Sequence, residues 1–336
     1  MDQKRCLYCY NLLDEDTVDF HPGCSKKIFE SAVPPLLPYS EDEMLKLAEK
    51  VIKSQTTITG VQPKLSLEIE KVSKNSGPKR FTIVGLWGNF ILKPPSEIYN
   101  NLPELEDLTM HLAEISDIES VHHSLIRLKS GSLAYITRRI DRTKSSKIHM
   151  EDMCQLTERL TEHKYHGSYE QIGKAIIKYS ENPGLDIINF FEQVLFSFLT
   201  GNADMHLKNF SLIDLPEIGY VLSPAYDMVA SSLVVVGDDE ELALTLNGKK
   251  KKIRRKDFLE AIGRFDVDQK SVENIFSKFQ RSFSAWNEFI EISFLPSEMK
   301  KEYKEIIRNR AIQIDMNINS MIKDLKNVDT KGKSLE

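Results

Sequence analysis

The sequence predicts an α+β protein of two lobes, a small mixed, β-rich one followed by a larger, mainly helical one. Three observations lead there. Short strand patterns broken by turn sequences cluster between residues 65 and 137. From Lys147 onward the periodicity is mostly helical. Within that second half an apolar run, Ile187 to Leu199 (IINFFEQVLFSFL), leads into the polar stretch Gly201 to Asn209 (GNADMHLKN) and a strand-like FSLI. A helix apolar nearly all round belongs at the centre of a core, so a loop at its end is delivered to a fixed point.

The bulk numbers set bounds on function. A chain of 336 residues can bury a substantial core and form about two lobes. With 41% apolar and 28% charged residues and a formal net charge of −5, bulk charge gives no reason to expect nucleic-acid binding. The start, MDQKRCLYCY, lacks an apolar signal core, and no apolar run approaches the roughly 20 residues of a spanning helix. A cytoplasmic protein is expected. Four cysteines in so long a chain do not make a disulfide framework, which fits a reducing compartment.

Residues 1–39 form a Cys/His segment and linker. Cys6-x2-Cys9 and His21-x2-Cys24 are two close pairs joined by a loop, the pattern of a structural zinc site. The alternative is half-buried thiols in a small cap. Prolines at 34, 35 and 38 mark the linker. The small lobe is expected over 40–137. Ser40 and Glu43 form a capping box that opens a helix. Leu65, Leu67 and Ile69 alternate as a strand, preceded by a hydroxyl- and Gly-bearing turn that can lay backbone N–H groups and Lys64 over phosphates. FTIVGLW (81–87) and Phe90–Lys93 are further strands, the latter ending in a lysine. Residues 103–114 read as a helix with acids in its first turn, where the helix dipole favours them. Glu106 is placed to pair with Lys93, with Glu104 as the competing choice. Residues 124–142 read as two strands about Ser130-Gly131-Ser132.

The large lobe is expected over 138–325, with a frayed tail at 326–336. Residues 149–160 carry apolar side chains at spacings of 3, 3 and 4, a helix pattern, and 169–180 a second helix ended by Asn182-Pro183-Gly184. After the buried helix and its loop, Val229 and Val234 to Val236 suggest strand-like packing, and 242–248 alternates as a strand. Lys249 to Lys256 puts seven cations in eight positions, either a patch for an acidic partner or a solvated edge. Helical stretches at 257–292 and 297–325 complete the lobe.

The chemistry sits at residues 201–227. Asp204 and Asn209 stand five positions apart, and Asp227 follows 18 residues later. Protein kinases use this arithmetic: a catalytic-loop Asp, then Asn, then a distal metal-binding Asp, with a strand lysine paired to a helix glutamate upstream. Asp204 is the expected base, Asn209 and Asp227 the expected Mg²⁺ ligands, and Lys93 with Glu106 the expected nucleotide pair. His206 reads as a brace for the loop. Lys208 either neutralises transferred phosphate or faces solvent.

Assembled, ITGVQPKLSL, FILKP with its following helix, RRIDR, NADMHLKNFSL and SPAYDM resemble the HipA family of bacterial toxin kinases over roughly residues 50 to 320. The resemblance implies a bilobal, protein-kinase-like fold that uses ATP and Mg²⁺. It implies a phosphate loop at Thr59, Gly60, Val61, Gln62, Pro63 and Lys64, and an adenine-side hinge at Arg138, Arg139 and Ile140. Lys93 would be the nucleotide lysine, Asp204 the base, and His206 to Asn209 the rest of the catalytic loop. Tyr226 and the metal ligand Asp227, with His206, Lys208 and Asn209, would contact the cofactor. It implies autophosphorylation ahead of the Gly-x-Gln-x-Lys motif, here on Thr57 or Thr59 where the family uses serine. Partners implied are a HipB-like helix-turn-helix antitoxin, DNA only through that antitoxin, and a protein substrate such as an aminoacyl-tRNA synthetase. The N-terminal region resembles the shortened members, which can rely on a separate small subunit. Alternatives are a small-molecule phosphotransferase on the same fold, or a catalytically inert subunit of an antitoxin complex.

Overall fold

The computed structural model describes residues 4–52, 64–70, 79–84, 88–143, 146–235, 237 and 239–318. The chain divides into two compact units. The first comprises Met1–Asp107, Val121–Lys144 and Ile292–Phe294, and the second Leu108–Ser120, Ser145–Glu291 and Leu295–Glu336. The fold is α+β, with a sheet-rich part and a larger helical part.

The first unit is built on a five-stranded antiparallel sheet. Its strands are β1 (Leu65–Ile69), β2 (Phe81–Val84), β3 (Phe90–Lys93), β4 (His123–Arg127) and β5 (Leu133–Arg138), in the order β2-β1-β3-β5-β4. Among the described residues three helices accompany it: α1 (Pro22–Phe29), α2 (Glu41–Ile52) and α3 (Leu102–Ile115), of which the first turns through Asp107 fall in this unit. The capping box at α2 forms. Ser40 N–H donates to Glu43 Oε2 at 2.8 Å, and Glu43 N–H to Ser40 Oγ at 3.4 Å. Helix α1 was not legible from periodicity; Pro22 at its first position and a left-handed Glu30 at its end define it. Phe29 from α1 meets Phe20, Phe81 and Phe90, ring centroids 5.3, 5.8 and 6.1 Å apart. Each such phenylalanine contributes about 1.5–3 kcal/mol on burial, enough to seat the Cys/His segment on β2 and β3. Within the linker, Leu36 pairs beside Arg80 in a parallel bridge.

Period-two alternation decides what the sheet shows on each face. Lys93 lies directly opposite Tyr135, Leu125 opposite the same tyrosine, and His123 opposite Thr137, two residues further on. Lys93, Tyr135, Leu125 and His123 therefore share one face.

The second unit carries a three-stranded antiparallel sheet, β6 (Met150–Asp152), β7 (Ser211–Leu215) and β8 (Gly219–Leu222), in that order. Its helices are α4 (Met153–Leu156), α5 (Tyr169–Tyr179), α6 (Pro183–Leu199), α7 (Arg255–Ile262), α8 (Gln269–Ile292) and α9 (Ser297–Gln313). Helix α6 is central: Phe190, Phe191, Phe196 and Phe198 are fully buried. They meet Tyr169 of α5, Phe258 of α7 and Trp286 of α8 at centroid distances of 6.3, 5.5 and 5.6 Å. Trp286 Nε1 donates to the Leu112 carbonyl at 2.9 Å, so its one polar atom is satisfied in the core.

Four expectations are corrected here. Residues 149–160 are not one helix: Met150–Asp152 pair with Ser211–Ile213 as strand, and Asp152 then caps the single turn of α4 by accepting Gln155 N–H at 3.1 Å. Residues 242–248 form no strand, only bridges from Thr245 to Ser168 and Leu246 to Lys249; alternation without a neighbouring edge makes no ladder. The stretch from 257 splits at the Gly263–Phe265 turn into α7 and α8. Pro183 and Gly184 open α6 as well as ending α5. In the cationic run, Lys249 pairs with Asp257 at 2.7 Å, Lys250 with Glu240 at 3.0 Å, and Lys251 with Asp239. Arg255 lies 4.0 Å over the Phe276 ring, so much of the run is answered within the unit.

Candidate active site

In the first unit, Lys93 ends β3 and faces the first turns of α3, where its Nζ forms an ion pair with Glu106 Oε1. Both side chains are buried, at 5% and 3% exposure. The ammonium also lies 5.3 Å from the Tyr135 ring centroid, as the cross-strand pairing dictates. Two charges held this far from water are costly unless paired, so the geometry is specified rather than incidental. Glu104 instead takes a bond from Asn101 Nδ2 at 3.4 Å, and burial raises its carboxyl above the usual range.

The neighbouring residue Asp107 serves another set of partners. It accepts Tyr10 Oη–H at 2.7 Å and binds His123 Nδ1 at 2.7 Å. His123 in turn stacks on Tyr135 at 5.9 Å. Burial, first, and then the Asp107 carboxylate push the Tyr10 phenol well above its ordinary range, so it remains a neutral donor.

At the expected hinge, Arg138 N–H donates to the His122 carbonyl at 2.8 Å and Arg139 N–H to the Asn89 carbonyl at 2.9 Å. The side chains turn to Glu30 (2.5 Å) and Asp141 (2.8 Å). Lys64 is exposed, one residue before β1. Thr57, Thr59, Gly60, Val61, Gln62 and Pro63, the expected phosphate loop and autophosphorylation sites, lie outside the described residues.

In the second unit, α6 ends in a Schellman motif. Asn202 N–H donates to Ser197 O at 2.8 Å and Gly201 N–H to Phe198 O at 3.3 Å, with Gly201 at φ +69°. A Cβ on Gly201 would lie 2.9 Å from Ile306 Cγ2, so glycine is required by conformation and by space. Beyond the cap the chain runs through a 3₁₀ turn (Leu207–Asn209) into β7. Phe210 is clamped by Phe190 and Tyr169 at 5.1 and 6.2 Å. The loop is thus anchored at both ends, and Met205 and Leu207 bury their side chains beneath it.

Asp204, half-buried, accepts the Tyr165 hydroxyl at 2.5 Å. The same tyrosine meets the His206 ring edge-on at 4.9 Å. His206 N–H is shared between the main-chain carbonyl of Asp204 (2.8 Å) and Asn209 Oδ1 (3.2 Å), so this backbone amide ties the chain at Asp204 to the Asn209 side chain. Lys208 pairs with Asp152 Oδ2 at 2.5 Å.

Asp227 lies on a segment stitched to this loop at several points. Tyr226 Oη donates to Lys208 O at 3.0 Å and pairs with Ser211 Oγ at 2.5 Å. Ser231 Oγ accepts Ala203 N–H at 2.9 Å, and Ser232 N–H donates to Gly201 O at 3.0 Å. Burial, with the Asp227 charge adding to it against the opposing Ser211 bond, pushes the Tyr226 phenol up and keeps it protonated. Asp227 itself sits at φ +57°. A non-glycine residue there costs of order 1–3 kcal/mol, a strain that clusters at functional positions.

Asn209 and Asp227 offer an amide and a carboxylate oxygen, hard donors of the kind Mg²⁺ takes. Asn209 Oδ1 uses one lone pair on His206 N–H, and a carbonyl oxygen has two. The donor set fits the ion.

Sequence reasoning missed Tyr165, Asp152 and Ser231. None stands at a fixed spacing from the residue it serves; Tyr165 is 39 positions from Asp204 and Asp152 is 56 from Lys208.

A family model described as the HipA-like C-terminal domain matches residues 56–286. Y4dM of Sinorhizobium fredii is 33% identical over 195 residues, covering 54% of this chain and 47% of the relative. A Haemophilus influenzae protein is 31% identical over 211 residues, covering 59% of each. Both are named as candidate kinases, and the chain spans about half the length of these relatives. Among solved structures, HipA from the Shewanella oneidensis HipA, HipB and operator DNA complex superposes with TM-score 0.62 at 20% identity, covering 80% of this chain and 70% of the other. The Helicobacter pylori proinflammatory kinase CtkA gives 0.51 at 14% identity, covering 74% and 93%.

Proposed function

Because this chain belongs to the family with a HipA-like C-terminal domain, we propose that it is an ATP-dependent protein kinase, the toxin of a HipA-like toxin–antitoxin pair. The observation that carries the reading is the loop of residues 201–209. It holds Asp204 and Asn209 between a capped buried helix and a strand and is tied by hydroxyl bonds to the segment of Asp227.

In the proposed reaction a serine or threonine hydroxyl of a protein attacks the γ-phosphorus of ATP. A P–O bond forms to the hydroxyl oxygen as the bond to the β–γ bridging oxygen breaks, and ADP leaves. Asp204 orients the hydroxyl and takes its proton, with Tyr165 fixing the carboxylate. Lys93, aimed by Glu106, holds phosphate oxygens. Mg²⁺ held by Asn209 and Asp227 would offset the negative charge of the phosphates. Lys208, paired with Asp152, orients the loop. Arg138, Arg139 and Ile140 supply backbone to the adenine side, and Thr57 or Thr59 is the site of inactivating autophosphorylation. A HipB-like antitoxin, with a separate small subunit, is the partner that fits. The cationic run, largely answered by acids of the same unit, supports contact with DNA through the antitoxin rather than directly. An aminoacyl-tRNA synthetase is the proposed substrate class.

Asp204→Ala protein is expected to bind ATP with unchanged affinity and to transfer no labelled phosphate to itself or to proteins of a lysate. Transfer at the normal rate would sink the assignment of the base.

A further inference from the structure

The first 24 residues gather four ligand groups that phosphoryl transfer does not use. The sulfurs of Cys6, Cys9 and Cys24 and a ring nitrogen of His21 all lie within 4.8 Å of one another. Cys9 Sγ is 3.5 Å and Cys24 Sγ 3.8 Å from His21 Nδ1. With Zn–S near 2.3 Å and Zn–N near 2.0 Å, a tetrahedral shell has sulfur–nitrogen edges of ~3.6 Å. The observed spacings are those edges.

The second ring nitrogen agrees. His21 Nε2 stands 3.0 Å from the Leu12 carbonyl, which only accepts, so Nε2 carries the proton. Nδ1 is then the bare nitrogen, turned toward the thiols, and the carbonyl bond fixes ring and tautomer as an outer partner does for a ligating histidine. The backbone is shaped to match. Tyr10 N–H donates to Cys6 O at 3.0 Å and Cys6 N–H to Asn11 O at 2.9 Å, wrapping a tight turn about Cys6 and Cys9 with Tyr10 at φ +59°. His21 and Cys24 come from the N-cap and first turn of α1, three residues apart and so on one face. Beyond that one eight-residue helix, the regular pairing of the segment's described residues is one β-bridge, Arg5 to Leu12, joined by turn bonds such as Leu7 N–H to Asp19 O at 2.7 Å, a small framework that a bound ion would reinforce.

We infer that Cys6, Cys9, His21 and Cys24 bind one structural zinc ion through three thiolates and Nδ1. Four protein ligands fill a tetrahedral shell and leave no open position for substrate. Thiolate and imidazole select zinc over the magnesium of the phosphate site. As the ion binds, the thiols release their protons to solvent. The knuckle so fixed reaches the sheet through Leu7, whose carbonyl accepts Ser124 Oγ–H at 3.0 Å and Leu125 N–H at 3.2 Å. Asp19 grips Arg127 at 2.9 Å from the other side of the loop.

The test is metal analysis of the full chain, purified without a metal-affinity step and without nucleotide, so that it reads independently of phosphate transfer. About one zinc per chain is expected, lost in a Cys9→Ser/Cys24→Ser double variant. Should that variant fail to fold, the wild-type protein still decides. A thiol-specific mercurial should release about one equivalent of zinc to a chelating dye, and cobalt exchanged into the site should show the intense visible bands of tetrahedral thiolate ligation. Folded wild-type protein that carries no zinc and develops no cobalt bands would overturn the site. So would zinc that persists in the double variant.

Discussion

The Lys93–Glu106 pair permits a quantitative test of how this fold holds its charges. Lys93→Met leaves the Glu106 carboxylate buried opposite a thioether, and Glu106→Leu leaves the Lys93 ammonium buried opposite an alkyl group. Breaking a buried pair from one side costs about 3–5 kcal/mol, whereas replacing both partners by apolar groups of similar volume is close to neutral. The two single changes are not equal. The ammonium keeps the Tyr135 face 5.3 Å away, worth about 1 kcal/mol, so Glu106→Leu should be the milder. The expectation is ~4 kcal/mol for Lys93→Met, ~3 kcal/mol for Glu106→Leu and ~2 kcal/mol or less for the double variant, a coupling of several kcal/mol. Urea unfolding measures the sum for the chain, and amide hydrogen exchange on β3 and β5 reports the unit concerned. All three variants should lose phosphate transfer, including the one that regains stability, which separates the chemical role of the pair from its structural one. Additivity of the single effects within about 0.5 kcal/mol would refute the reasoning.

Three further outcomes follow from the geometry. Tyr165→Phe removes one hydrogen bond to a carboxylate, worth ~1.5 kcal/mol at a site 39% exposed; turnover should fall about tenfold with the KM for ATP unchanged, read in a steady-state transfer assay. Gly201→Ala forces a left-handed alanine at φ +69° against Ile306; a loss of about 2–4 kcal/mol should appear as a lower midpoint in thermal unfolding. Asp257 would be pushed up by burial, but Lys249, the Arg254 N–H and Asn247 outweigh this and hold its carboxyl below the usual range. A depressed acid stabilises above its unfolded value, about 3.9, and that contribution is lost as pH falls through the lower folded value. The stability gap between wild type and Asp257→Asn should therefore be full at pH 7 and shrink below about pH 4, which denaturation at several pH values would show.

What could be read from the chain was what depends on local periodicity. The alternation of Leu65, Leu67 and Ile69, the acids opening α3 and the apolar α6 each carry their environment in their own spacing. Residues 149–160 show the limit. Their spacings of 3, 3 and 4 suit a helix, yet Met150 to Asp152 gain more by pairing with β7, and Asp152 gains a helix to cap. The opposite error fell at 242–248, where alternation had no edge to join. For the candidate site, residue types and spacing named the acid, the amide and the lysine. Tyr165, Asp152 and Ser231 bond Asp204, Lys208 and the Ala203 N–H across 28 to 56 residues of chain, a relation that no local window contains.

One turn of α3 answers to two sides at once. Glu106 and Asp107 are consecutive, so their side chains leave the helix about 100° apart. One meets Lys93, and the other meets Tyr10 of the cysteine knuckle and His123. The turn behaves like a key cut on two edges. Any rotation that freed Glu106 from its lysine would also drag Asp107 off the tyrosine, and a change in the knuckle would be felt at the lysine through a single helical step. In this molecule the alignment of Lys93 and the seating of the N-terminal segment are coupled through one turn of helix.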